Sequence, residues 1–166
     1  MNENIFARSD FILCVGTAQE FCSAVYTLQH EKSPTTIVRL LRGKNMTSTT
    51  ALFNEFAAAL QFPCYFGNNW NAFDECIADL EWLAGEAYII AIVDAPSVLR
   101  DQSAELDVFA RIVRSVTKEW RDRDGFVFQV VLHCTAEEID AVQQTFGASI
   151  DIIRANELRT FARFLC

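Results

Sequence analysis

The chain has little of what usually carries chemistry. Its 166 residues include two histidines, three prolines and six glycines. No GxGxxG, Walker A, GxSxG or HExxH occurs, so the common nucleotide-binding, hydrolase and zinc-protease signatures are missing. Cys14, Cys22, Cys64, Cys76, Cys134 and Cys166 form no CxxC pair and match no zinc spacing, so neither a metal nor a cofactor is expected. No apolar run approaches the length of a membrane span. The apolar run nearest the start, Phe11 to Gly16, follows no basic region and is too short for a secretory leader. Reduced thiols and a cytoplasmic location are therefore expected. Positive charge is also scarce: 14 Lys and Arg stand against 22 Asp and Glu, a net charge of −8. Nucleic acids and anionic membranes are bound by clustered cations, so this balance argues against both and suits a basic protein partner.

What the chain does have is apolar residues, 51% of the total, enough for a core without covalent staples. The length fits one domain, 1–166. "DFILCV" reads as a buried strand, followed by a helix capped by Thr17 and Glu20, with Phe21, Ala24, Val25 and Leu28 on one face. "TTIVRLLRG" reads as a second strand. Ser48 or Thr49 caps a helix carrying Leu52, Phe56, Ala59 and Leu60, which Pro63 ends. "AYIIAIVDA" is a near-continuous apolar run, as in a parallel strand covered on both faces. An amphipathic helix with Leu106, Phe109, Ile112, Val113 and Val116 inward leads to the strand "FVFQVVLHC". The tail reads as helix, short strand and helix. This alternation predicts an α/β fold with a parallel sheet of three to five strands covered by helices.

One stretch stands apart. "FPCYFGNNWNAFDE", Phe62–Glu75, places aromatics, a glycine and amides ahead of a helix expected to run to about Leu83 and to stop at Gly85. Asn69 is its N-cap and Gly67 allows the sharp turn before it. At 100° per residue Trp70, Phe73, Ile77 and Leu80 form the core stripe. Asn71, Glu75, Asp79 and Trp82 fall opposite, facing water, and Asp74 lies between the faces. An acidic outer face is usually only a solvated one, and Tyr65 with Phe66 can serve as a staple against the helix.

The segment from about Ile37 to Leu132 resembles the barstar family, intracellular protein inhibitors of secreted bacterial ribonucleases. The resemblance rests on "IVRLLRGKNMTS", on the helix with Leu52 and Phe56, on "FPCYFGNNWNAFDECIADL" and on the two apolar strands after it. It implies a barstar-like core at about 36–134, with an N-terminal βα addition, 1–35, and a C-terminal addition, 135–166. In that family the loop and the helix it introduces plug the ribonuclease active site. The resemblance places the family's loop aromatic on Tyr65, its glycine on Gly67 and its capping asparagine on Asn69. The family's first helix aspartate falls on Asn71 and its tryptophan on Asp74. Its second aspartate, which occupies the phosphate pocket, falls on Glu75. Asn71 thus lacks a charge and Glu75 is one methylene longer. A further family glutamate on a later helix has no clear counterpart; Glu119 lies nearby in sequence but is not assigned to it. The expected partner-binding set is Tyr65, Gly67, Asn69, Asn71, Asp74, Glu75, Asp79 and Trp82. The expected function is blockade of a basic ribonuclease, with no catalysis.

Other readings stay open. The same surface serves an immunity or interaction protein whose target is not a ribonuclease. His133 beside Cys134 suggests a base and a nucleophile, yet neighbours on a strand point to opposite faces and would not meet. Cys14, Cys22 and Cys76 are expected in the core, while Cys166 sits at the chain end. Homo-association through "DFILCV" requires that strand to lie at a sheet edge.

Overall fold

The computed structural model describes residues 9–31, 33–147 and 150–160. The elements follow in the order β1 (Phe11–Val15), α1 (Ala18–Glu31), β2 (Thr36–Arg42), α2 (Thr49–Leu60), α3 (Trp70–Asp79), β3 (Ala87–Val93), α4 (Leu106–Arg121), β4 (Val127–Cys134), α5 (Ile139–Phe146), β5 (Asp151–Arg154) and α6 (Ala155–Thr160). The five strands form one parallel sheet in the order β2-β3-β4-β1-β5. Every residue of β3 is buried, which accounts for its unbroken apolar run: both faces of the strand are covered.

The strand alternation divides the core in two. Leu13, Tyr88, Ile90, Ile92, Phe128, Val130 and Leu132 point to the face covered by α2, α3, α4 and α5. Ile12, Cys14, Val38, Ile89, Ala91, Val93, Val131 and Ile153 point to the opposite face, where Phe21, Val25 and Leu28 of α1 and Leu158 of α6 cover them. The described parts of the two terminal additions therefore widen the sheet by β1 and β5 and roof its far side. α1 and α6 lie on the side opposite α3, whereas α5 of the C-terminal addition packs on the same side as α3, with Val142 and Phe146 in that core.

β1 is not an edge strand, contrary to the expectation behind homo-association. It lies between β4 and β5, with Ile12, Leu13, Cys14 and Val15 in register with Asp151 to Arg154. Its outward backbone groups are taken by the C-terminal segment, a pairing too distant in sequence for local patterning to show. β2 forms one true edge, and side chains occupy it. The Val38 carbonyl accepts from Arg39 Nη1 at 3.2 Å and Gln29 Nε2 at 3.4 Å, and the Arg42 N–H donates to Glu55 Oε1 at 3.0 Å.

His133 and Cys134 point to opposite sides of the sheet, as alternation requires. The buried imidazole stacks on Phe21, with centroids 5.0 Å apart. Its Nδ1 accepts the Asp94 N–H at 3.1 Å, and its Nε2, protonated on the pattern of its partners, donates to the Gly16 carbonyl at 3.1 Å. His133 thus clasps the carboxyl ends of β3, β4 and β1. Burial pushes the Cys134 thiol up to about 11 and the Cys14 thiol up to about 12, which disfavours the thiolate at both. Cys76 is buried as expected, Cys22 is only half-buried, and Cys166 lies outside the described residues. Among the described residues no helix is long and apolar enough to cross a membrane.

Candidate partner-binding site

The site begins where α2 stops. Gln61 takes a left-handed conformation (φ 54°) and donates its N–H to the Ala57 carbonyl. Pro63 cannot continue the helix, and the chain turns so that the Phe66 N–H reaches the Pro63 carbonyl at 2.9 Å. Phe66 goes inward, edge-on to Phe62 at 5.0 Å and to Phe53 at 5.8 Å. Tyr65, its neighbour, is 81% exposed. The pair is therefore divided: Phe66 anchors the loop and Tyr65 projects from it.

The sharp turn expected at Gly67 is made instead by Asn68, whose φ is 49°. Asparagine tolerates this region because its short amide bonds locally, here with Nδ2 donating to the Phe66 carbonyl at 3.4 Å. Gly67 serves by leaving room: a Cβ there would lie 3.0 Å from Asn69 Nδ2. Asn69 is the cap as expected. Its Oδ1 accepts the Ala72 N–H at 2.9 Å, while its Nδ2 donates back to the Gly67 carbonyl at 3.1 Å. Loop and helix start are thus joined through one side chain.

Along α3, Phe73 and Ile77 are buried, followed by Leu80 just beyond, while Asn71, Glu75 and Asp79 are exposed. Trp70 belongs to the core stripe only in part. It packs edge-on against Phe53 at 4.9 Å, while its indole N–H reaches Glu105 Oε2 at 2.7 Å. The helix stops at Asp79, short of the expected Leu83, because Leu80 adopts a left-handed conformation (φ 51°) and returns its N–H to the Cys76 carbonyl. Gly85 is not the stop. A Cβ there would lie 2.8 Å from the Ile37 side chain, so this glycine permits close approach to β2.

The early stop changes the role of Trp82, expected to face water opposite the core. The turn at Leu80 swings Trp82 back to a half-buried position edge-on to Phe62, and its indole N–H donates to the Leu60 carbonyl at 2.9 Å. That carbonyl belongs to the last turn of α2 and has no partner within the helix. Trp82 therefore bolts α2 to the end of α3 instead of standing on the acidic face.

The acidic face gains a member from α4. Asp74 is half-buried, and its carboxyl is held above the usual range by burial first, then by the charges of Glu119 and Glu75. Glu119 is brought there by α4 packing on α3, fixed where the buried Trp120 donates its indole N–H to the Ile77 carbonyl at 3.1 Å. The signal was present in the sequence, since Glu119 points outward next to an inward tryptophan, but its neighbour across the helix pair was not. Among the described residues the ion pairs are Lys44–Asp94, Arg100–Asp101 and Arg121–Asp10; none involves Asp74, Glu75, Asp79 or Glu119. No group of three or more His, Cys, Asp or Glu among the described residues is arranged to hold a metal ion. Tyr65, Gly67, Asn69, Asn71, Glu75 and Asp79 are exposed and Asp74 is half-buried, while Trp82 is turned to the end of α2.

Residues 36–133 match the protein-family model described as Barstar (barnase inhibitor). No curated protein matches the chain.

Proposed function

This chain belongs to the barstar family, and on that premise we propose that it is an intracellular inhibitor that blocks the active site of a basic ribonuclease with its acidic loop–α3 surface. The observation that carries the reading is the fixed and unpaired character of the acids. Asn69 ties the loop to the helix start, and Asp74, Glu75 and Glu119 gather on the outer side of α3 and α4 outside the described ion pairs.

A ribonuclease cleft must hold a phosphodiester and therefore collects cations. Carboxylates on a rigid helix can take the place of the phosphate there, through short, charge-assisted hydrogen bonds to arginine. Little freedom is lost on binding, since the helix already fixes them. Tyr65 supplies an exposed aromatic of the kind that dominates interface energetics. The opposite charge of the partners speeds their encounter.

The test is inhibition of barnase, the ribonuclease in the family's description, together with capture of basic ribonucleases from the source organism. The double variant Glu75→Gln with Asp74→Asn should weaken binding by about 1.5–3 kcal/mol for each charge-assisted hydrogen bond it removes, and should flatten its salt dependence. Unchanged affinity and unchanged salt dependence would remove these residues from the mechanism. A second reading, a basic target that is not a ribonuclease, is favoured by Asn71, which leaves the first turn of α3 without an acid. Capture of a basic, non-nuclease partner by the native chain, abolished in the same double variant, would select it.

A further inference from the structure

A cavity of about 370 Å3 opens beyond the carboxyl ends of β1 and β5, lined by Val15, Gly16, Glu20, Arg154, Asn156 and Arg159, with Ala155 between them. We propose that this cavity binds the phosphate group of a small molecule through Arg154 and Arg159. The cavity lies outside the carboxyl ends of two paired parallel strands: Val15 and Arg154 are in register at their last step. The volume falls within the range of small-molecule sites.

The electrostatics of the wall support an anion. The chain carries a net charge of −8, yet two of its fourteen Lys and Arg residues line this one cavity. Neither takes part in an ion pair among the described residues. Two acids lie close by, Glu20 in the wall itself and Glu157 beside Arg154, and local hydrogen bonds occupy one oxygen of each. Glu20 Oε2 accepts the Thr17 N–H and hydroxyl, each at 2.9 Å, and Glu157 Oε2 accepts the Arg154 N–H at 2.7 Å. Arg159 is oriented in advance by its Nη2 donating to Ser23 Oγ on α1 at 3.0 Å, which leaves its remaining donors for a ligand. Guanidinium forks match phosphate oxygens in pairs. Asn156 adds an exposed amide at the rim.

The site draws on β1, β5, α1 and α6, none of which carries the acidic α3 surface, so the two readings stand or fall separately. The experiment is calorimetric titration of the full chain with inorganic phosphate, adenosine monophosphate and adenosine. Saturable binding of a phosphate-bearing probe, with none of adenosine, is expected; comparing phosphate with the monophosphate tells whether a free ion or an ester is preferred. Arg154→Gln with Arg159→Gln should weaken that binding about tenfold or more. Asn156→Asp, at an exposed position that tolerates change, should weaken it as well and serves if the double variant fails to fold. Glu75→Gln should leave it unaltered. The proposal is overturned if no phosphate probe binds at millimolar concentration, or if these variants bind as the native chain does.

Discussion

The two sides of the sheet are built from different materials. On the side of α2, α3 and α4 the core is a mesh of rings: Phe53, Phe56, Phe62, Phe66, Trp70, Phe73 and Phe109 touch in succession, with centroids 4.9 to 6.4 Å apart along the wider network. On the other side, among the described residues, the layer is thin and mostly aliphatic, its buried rings being Phe21 and the His133 imidazole stacked on it. Rings interlock at defined angles, whereas small branched side chains simply fill volume. The difference teaches where rigidity is concentrated. The loop that presents Tyr65 and the acids stands on the ring side, to which α5 adds Phe146, while α1 and α6 seal apolar area on the other.

The most drastic way to break this comparison is to remove the terminal additions, which supply the roof of the thin side and also α5 on the ring side. A fragment comprising residues 36–133 would expose Val38, Ile89, Ala91, Val93 and Val131, each at most 7% exposed in the whole chain. It should lose cooperative thermal unfolding and self-associate, as read by circular dichroism and gel filtration. A monomeric fragment that unfolds cooperatively would show the terminal additions to be dispensable and would refute one folding unit spanning the chain. Next in size, Phe73→Ala removes the ring at the centre of the mesh and should cost about 3–5 kcal/mol in urea unfolding. Ile89→Val, on the opposite side, should cost about 0.5–1.5 kcal/mol. Equal losses would erase the distinction between the sides.

Trp82→Phe keeps a ring against Phe62 but leaves the Leu60 carbonyl without its donor, for a loss of about 1 kcal/mol. If Trp82 were instead part of the partner interface, affinity would fall and stability would not. The smallest effect concerns Asp74. Its folded-state carboxyl is raised, so the folded chain binds more protons than the unfolded one between the two titration points, and stability falls as pH rises through that window. Above that window, where the carboxyl is charged in both states, the penalty is complete. Asp74→Asn should therefore stabilise there by less than about 1 kcal/mol, given solvent screening, and should level the acid limb of the stability–pH curve. The same change should weaken partner binding, so stability and function move in opposite directions at this residue.

Much of this was legible because it is local. The β3 run announces a strand covered twice, Asn69 announces a cap, and the outward set Asn71, Glu75 and Asp79 follows from helical spacing alone. What escaped depends on distant partners or on a residue acting against its propensity. A leucine in the left-handed region is costly, so nothing local marks Leu80 as a helix end; buried packing holds it there and sets Trp82 inward. The place of β1 between β4 and β5 depends on a strand more than a hundred residues away. Glu119 joined the acids only through the packing of α4 on α3.

The side-chain hydrogen bonds along the rim of β2 have a consequence for how the molecule behaves in a crowd. With Val38 and Arg42 already engaged by Gln29, Arg39 and Glu55, an incoming extended chain finds those rungs taken. Strand addition at those rungs would first have to displace the side chains that hold them, which raises the barrier to sheet-to-sheet growth along β2.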